Sequence, residues 1–195
     1  MKTKAAVLTE IGQPLQLLDL QIPKLKPGQV LVELFCSSVC GSQLLEIDGK
    51  RGTDKYLPHA LGHEAAGRIV EIGAGVTKVK LDDYVILTWI KSFGIEVSSS
   101  IYKYKGLQVN AGAITTFMQY SVISENRVVP ISRELPPEIG TLLGCAVPTG
   151  AGIVLNEARL KIGNSLAVFG AGGIGANVIL AAGLMHASPI IAVDI

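Results

Sequence analysis

Short apolar runs, broken by turn residues, dominate the first two-thirds of the chain. Residues 4–9, 15–22 and 29–39 read as strands, separated by Ile11-Gly12-Gln13-Pro14 and by Pro23-Lys24-Leu25-Lys26-Pro27-Gly28. Residues 64–72, ending at Gly73-Ala74-Gly75, continue the pattern, as do 84–90, 118–123 and 127–131. Strands this short and this closely spaced predict a β-rich, barrel-like domain in place of alternating βα units. Residues 132–137 form a linker, Pro136-Pro137-Glu138 starts a helix, and a second helical run covers 149–158.

The pattern changes after residue 164. Ser165-Leu166-Ala167-Val168-Phe169 has strand length, and Gly170-Ala171-Gly172-Gly173-Ile174-Gly175 is a GxGxxG motif. Ile174, Val178, Ile179, Ala181, Ala182 and Met185 then recur at helical spacing, and 189–193 reads as a second strand ending at Asp194, nineteen residues past Gly175. That order points to a dinucleotide site. Gly170 permits the tight turn, Gly172 lets backbone approach a pyrophosphate, and Gly175 lets helix pack on strand. The helix N-terminus offers free N–H groups and a positive dipole end, with Gly173 at its opening. Asp194 would accept ribose hydroxyls and repel a 2′-phosphate, which favours NAD over NADP. A glycine-rich loop of an ordinary α/β core is the plain alternative. No charge lies between Lys161 and Asp194, but a Gly cluster followed by His186-Ala187-Ser188-Pro189 argues against a membrane span.

Composition narrows the class. Seventeen Lys plus Arg against 16 Asp plus Glu gives no charge excess for nucleic acid or an acidic membrane. The N-terminus lacks the apolar stretch of a signal peptide. Three cysteines suit a reducing cytoplasm and a metal or reactive role better than disulfides. The chain ends one residue after Asp194, with only two strands of an open parallel sheet. The expectation is therefore a portion of a longer enzyme, or a sheet completed by a second chain.

Cys40, His63 and Cys145 form the candidate metal set. Two thiolates and an imidazole suit tetrahedral zinc and leave one position open. Taken alone, buried cysteines and a hydrogen-bonded core histidine are the commoner explanation; the dinucleotide motif alters that balance. Cys36 reads as core packing.

Over its whole length the chain resembles the zinc-containing medium-chain alcohol and polyol dehydrogenases. The residues carrying the resemblance are Lys4-Ala5-Ala6-Val7-Leu8, Pro27-Gly28-Gln29-Val30-Leu31-Val32, Val39-Cys40-Gly41-Ser42, Leu61-Gly62-His63-Glu64-Ala65-Ala66-Gly67, Gly73-Ala74-Gly75-Val76, Gly144-Cys145-Ala146-Val147-Pro148-Thr149-Gly150 and the GxGxxG stretch. It implies a β-rich GroES-like catalytic domain (residues 1–147, lacking its C-terminal return) followed by the start of an α/β Rossmann domain (148–195), a truncated medium-chain architecture. It also implies one catalytic zinc on Cys40, His63 and Cys145, and hydride transfer between an alcohol or polyol and NAD. Ser42 falls on the hydroxyl that takes the substrate proton, Glu64 on an acid near the metal, Thr149 beside the nicotinamide, and Trp89 on the pocket wall. The expected partners are a small-molecule alcohol or polyol and, at full length, further copies of the chain; the expected location is cytoplasmic.

Four departures from the family pattern stand out. Residues 89–110 lack the four cysteines of a structural zinc lobe, so no structural zinc is expected, and 98–105 reads as a solvated replacement loop. Gln43 replaces an acid that orients the zinc histidine, which predicts weaker support for His63 or support from elsewhere. Gly41 replaces a basic phosphate contact, and Leu45 replaces a histidine of the proton relay. A zinc-free reductase of the quinone oxidoreductase type and a non-catalytic GroES-like binding module are the alternatives.

Overall fold

The computed structural model describes residues Met1–Ile195, which divide by contact into two units, Met1–Gly144 and Cys145–Ile195.

The first unit is built from β1 (Lys2–Leu8), β2 (Gln16–Gln21), β3 (Gln29–Ser37), α1 (Gly41–Ile47), β4 (His59–Ala60), β5 (Glu64–Ile72), β6 (Tyr84–Thr88), β7 (Ile101–Tyr104), β8 (Leu107–Asn110), β9 (Tyr120–Ser124), β10 (Val128–Pro130) and α2 (Pro137–Leu142). Strands β1, β2, β7, β8 and β4 close into a barrel, and β10-β6-β5-β3-β9 form a five-stranded sheet. Alternation is clear in the barrel, whereas β6 of the sheet is buried at every position. In β1, Thr3, Ala5 and Val7 point inward while Lys2 and Lys4 face solvent. One core gathers Ala5, Val7, Leu20, Leu31, Tyr102, Val109 and Val122; a second gathers Val30, Val32, Ala65, Ile69, Val85, Leu87 and Val128.

Residues 98–105 are only in part a solvated loop: Ser98 and Ser99 are exposed and outside any strand, but Ile101–Tyr104 is strand β7. Ser100 and Tyr102 are buried, and β7 pairs with β8 and β2 to complete the barrel. The Tyr102 hydroxyl accepts the Val122 N–H at 2.8 Å, and burial pushes its pKa up to about 12. The composition Tyr-Lys-Tyr-Lys hid a two-faced strand: Tyr102 turns in while Lys103 stays exposed.

The segment before β7 is held without cysteines. Buried Glu125 accepts N–H groups from Ile95 (2.8 Å), Thr77 (2.9 Å) and Lys78 (3.1 Å). Burial raises its pKa, but these three bonds outweigh burial and keep the carboxyl below its ordinary value. Glu96 adds bonds from Asn126 at 2.6 Å and Arg127 at 3.1 Å, and the Arg127 guanidinium also donates to the Trp89 carbonyl.

The second unit contains α3 (Ala146–Gly152), continued by a wider helical turn over Ile153–Glu157, then β11 (Leu166–Phe169), α4 (Gly173–Leu184) and β12 (Ile190–Val193). β11 and β12 are parallel, Leu166 opposite Ile190 through Phe169 opposite Val193, with α4 as the connection. Val154, Val168, Val178, Ala181 and Ala182 form its core. Gly150 brings α3 onto α4, since a β-carbon there would lie 2.6 Å from Asn177 Cβ.

Candidate metal centre and dinucleotide loop

In the first unit, Cys40 is the residue on which α1 begins, and His63 ends the turn into β5. Two features fix His63. The Leu61 carbonyl accepts three donors, the N–H groups of Thr116 (3.0 Å) and Phe117 (2.9 Å) and the Thr115 hydroxyl (2.8 Å). Gly62 lies at φ +96°, and a β-carbon there would sit 2.3 Å from Thr116 Oγ1, so only glycine fits before His63. The Cys40 sulfur and a ring nitrogen of His63 lie within 4.8 Å of each other. His63 Nε2 is buried with no hydrogen-bond partner. Burial pushes the imidazole pKa below its ordinary value, while Glu64 and Glu46 pull the other way. A neutral ring with an orphaned nitrogen beside a thiol fits a zinc ligand pair.

Gln43, the third residue of α1, does reach His63. Its Oε1 accepts the Cys40 N–H at 2.8 Å, so its amide NH₂ faces His63 Nδ1 at 3.1 Å. The sequence predicts weaker support for His63 or support from elsewhere; Gln43 itself contacts the ring, but through a donor where a carboxylate would be an acceptor.

Ser42 lines a cleft of about 780 Å³ in this unit together with Gln43, Glu46, His59 and His63. Trp89 is half exposed and is not among the residues lining that cleft. Glu64 is buried at the start of β5, its carboxylate accepting the Ser38 hydroxyl. Cys36 is half-buried, its sulfur 2.8 Å from Thr141 Oγ1. Gly144 closes the unit. Its carbonyl accepts the Thr88 hydroxyl at 2.6 Å, and a β-carbon on it would lie 2.4 Å from the Leu87 carbonyl oxygen and 2.6 Å from Glu64 Cβ.

Cys145 is the first residue of the second unit and is buried there, with Thr149 Oγ1 3.9 Å from its sulfur. The glycine motif behaves as its spacing demands. Gly170 is left-handed at φ +92°. A β-carbon at Gly175 would lie 1.8 Å from the Gly170 carbonyl oxygen, whereas Gly172 and Gly173 face open space. The open pair sits at the N-terminus of the twelve-residue α4. Asp194 Oδ2 accepts the Ala171 N–H at 2.6 Å and Oδ1 the Ile195 N–H at 2.7 Å, and these bonds hold its carboxyl below the ordinary range.

Sequence reasoning did not single out Glu46, Asp54 and His59, whose donor atoms also converge within 4.8 Å. They are spread over a helix, a loop and a two-residue strand, a spacing that matches no motif.

Residues 26–133 match the family model described as the alcohol dehydrogenase GroES-like domain. The chain is 34% identical to an S-(hydroxymethyl)glutathione dehydrogenase of Synechocystis sp., across 100% of this chain and 59% of that protein. Among solved structures it resembles an alcohol dehydrogenase zinc-binding domain protein from Burkholderia ambifaria (28% identity, TM-score 0.89) and benzyl alcohol dehydrogenase from Acinetobacter calcoaceticus (29%, TM-score 0.84); each match covers 100% of this chain and 59% of the other. The chain belongs to the alcohol dehydrogenase family with a GroES-like N-terminal domain. It spans 59% of the length of these relatives.

Proposed function

We propose that this chain supplies the metal-binding and first cofactor-binding parts of a zinc-dependent, NAD-linked alcohol or polyol dehydrogenase. The observation that carries the reading is His63 Nε2, buried without a partner beside the Cys40 thiol. Cys145 is the proposed third ligand. What supports it is its covalent bond to Gly144, which lies against Glu64, the neighbour of His63 in the chain. Glu64 stands next to this set as an auxiliary acid.

Zinc supplies Lewis acidity that lowers the pKa of a bound hydroxyl, and NAD supplies the hydride acceptor. The chain's own residues do the rest. Ser42, in the first turn of α1 and on the cleft wall, takes the substrate proton. Gly172, Gly173 and the α4 N-terminus would take the pyrophosphate of a Rossmann-type site, with Gly170 and Gly175 shaping the turn, and Thr149 and Asp194 would contact the nicotinamide and the ribose hydroxyls respectively.

The test combines metal analysis with turnover in the whole gene product. Wild type should carry zinc and oxidise members of a panel of alcohols, polyols and sugar derivatives with NAD. Cys40→Ser, His63→Ala and Cys145→Ser should each lose zinc and activity. Activity persisting in zinc-free protein would favour a quinone-reductase-type enzyme instead. The relatives named as alcohol and S-(hydroxymethyl)glutathione dehydrogenases support the dehydrogenase reading.

A further inference from the structure

The geometry points to a second cation site in the first unit, formed by Glu46, Asp54 and His59 and independent of the proposed Cys40–His63–Cys145 zinc. It would take one divalent first-row ion on two carboxylates and one imidazole. The three donor atoms lie within 4.8 Å of one another. His59 Nε2 is 2.7 Å from Asp54 Oδ2 and 3.7 Å from Glu46 Oε1. The side chains of His59 and Asp54 are each 9% exposed, so the pair is almost wholly withdrawn from water.

The protons of the imidazole decide the argument. His59 Nδ1 lies 3.2 Å from the Ala60 carbonyl oxygen, and a carbonyl can only accept, so Nδ1 carries hydrogen. In the neutral ring Nε2 is then a bare lone pair aimed at two carboxylates. A metal ion bound there would take that lone pair together with both carboxylates. A ring whose far nitrogen donates to a backbone carbonyl is in the tautomer and orientation of a metal-bound histidine.

Bond lengths of about 2.0–2.2 Å set tetrahedral ligand atoms about 3.3–3.6 Å apart. The Glu46 contact already stands near this separation, while Asp54 Oδ2 must retreat by roughly 0.6 Å. Asp54 belongs to a loop, where its other oxygen accepts the Tyr56 N–H at 2.8 Å, and a small rotation meets that need. Arg51 Nη1, 3.9 Å from Glu46 Oε2, is the one cationic side chain paired with the trio, and it is exposed enough to swing away. Oxygen and nitrogen donors without sulfur suit Zn²⁺, Co²⁺ or Mn²⁺ and disfavour soft ions. Glu46 and His59 face the same cleft as Ser42 and His63.

Cobalt separates the two sites in one titration, because thiolate ligation produces an intense near-ultraviolet charge-transfer band that oxygen and imidazole ligation lacks. Wild type should bind two Co²⁺ per chain, one with the band and one without. Asp54→Asn keeps an oxygen for the Tyr56 N–H and should lose only the band-free ion, as should Glu46→Gln at the more exposed ligand. Cys40→Ser should lose only the ion with the band, so failure of either site is read separately. Circular dichroism checks each fold, and the Glu46 variant decides if Asp54→Asn unfolds. A wild type that takes up no band-free Co²⁺, or variants that bind it as well as wild type, would overturn the proposal and leave the trio as a hydrogen-bonded cluster.

Discussion

Gln43→Glu reads the proposed zinc chemistry most directly. In the wild-type chain Gln43 Oε1 accepts the Cys40 N–H at 2.8 Å, and the amide NH₂ faces His63 Nδ1 at 3.1 Å. A metal on Nε2 requires the imidazole proton to sit on Nδ1, where it meets the amide NH₂: two donors face each other. Turning the amide over moves the same conflict to the Cys40 N–H. One buried donor therefore loses its acceptor when metal binds, at a cost of about 1–3 kcal/mol. Glutamate has the same length and two acceptor oxygens, so it satisfies both donors at once. Removing the conflict should tighten zinc binding roughly tenfold to hundredfold, at about 1.4 kcal/mol per factor of ten. The new carboxylate also stabilises a protonated His63, so protons compete with metal more strongly in the variant. Wild-type His63, its pKa depressed by burial, pays this competition only at lower pH. Competition against a zinc-binding dye should show the variant tighter at pH 8, with the advantage shrinking at pH 6. Equal or weaker zinc binding at pH 8, in a variant with an unchanged circular dichroism spectrum, would refute the reasoning.

Two other substitutions probe the units separately. Glu125→Gln places an NH₂ against N–H groups that a carboxylate accepts and should destabilise the first unit by about 2–4 kcal/mol, read by urea unfolding. The wild-type carboxyl titrates below its ordinary value, so its contribution is complete above about pH 4.5 and fades as pH falls through the folded pKa; the gap between the two proteins should narrow in acid. In the second unit, Gly175→Ala pushes a β-carbon into the Gly170 carbonyl and should exceed the ~1–3 kcal/mol typical of overpacking. Gly172→Ala meets nothing and should leave stability intact while weakening NAD binding measured by calorimetry. Equal stability losses at both positions would contradict the division of labour between these glycines.

The chain's local pattern was enough for its strongly periodic and strongly punctuated parts. Residues 64–72 were readable to the residue because Gly73-Ala74-Gly75 ends a largely apolar run, and β11, α4 and β12 because the glycines mark where strand yields to helix. The cysteine-and-histidine set was legible as residue types whose joint chemistry is narrow. Helix α1 was not, since Leu44 and Leu45 lie exposed and give no inward face to detect. The β7–β8 hairpin was missed because polar composition outweighed the single buried face of Tyr102.

Sequence by itself determined what is local: strand alternation, the left-handed glycine turn, and which side chains can ligate metal or accept a ribose hydroxyl. Tertiary structure alone decided what depends on residues distant along the chain. It set Gln43 against His63, carried Glu125 to the backbone of three residues about 30 to 48 positions away, and gathered Glu46, Asp54 and His59. The reason is physical. A hydrogen bond or a ligand contact depends on separations of a few ångströms and on which atom donates, and those are fixed by packing of the whole core, not by the identity of neighbours in the chain.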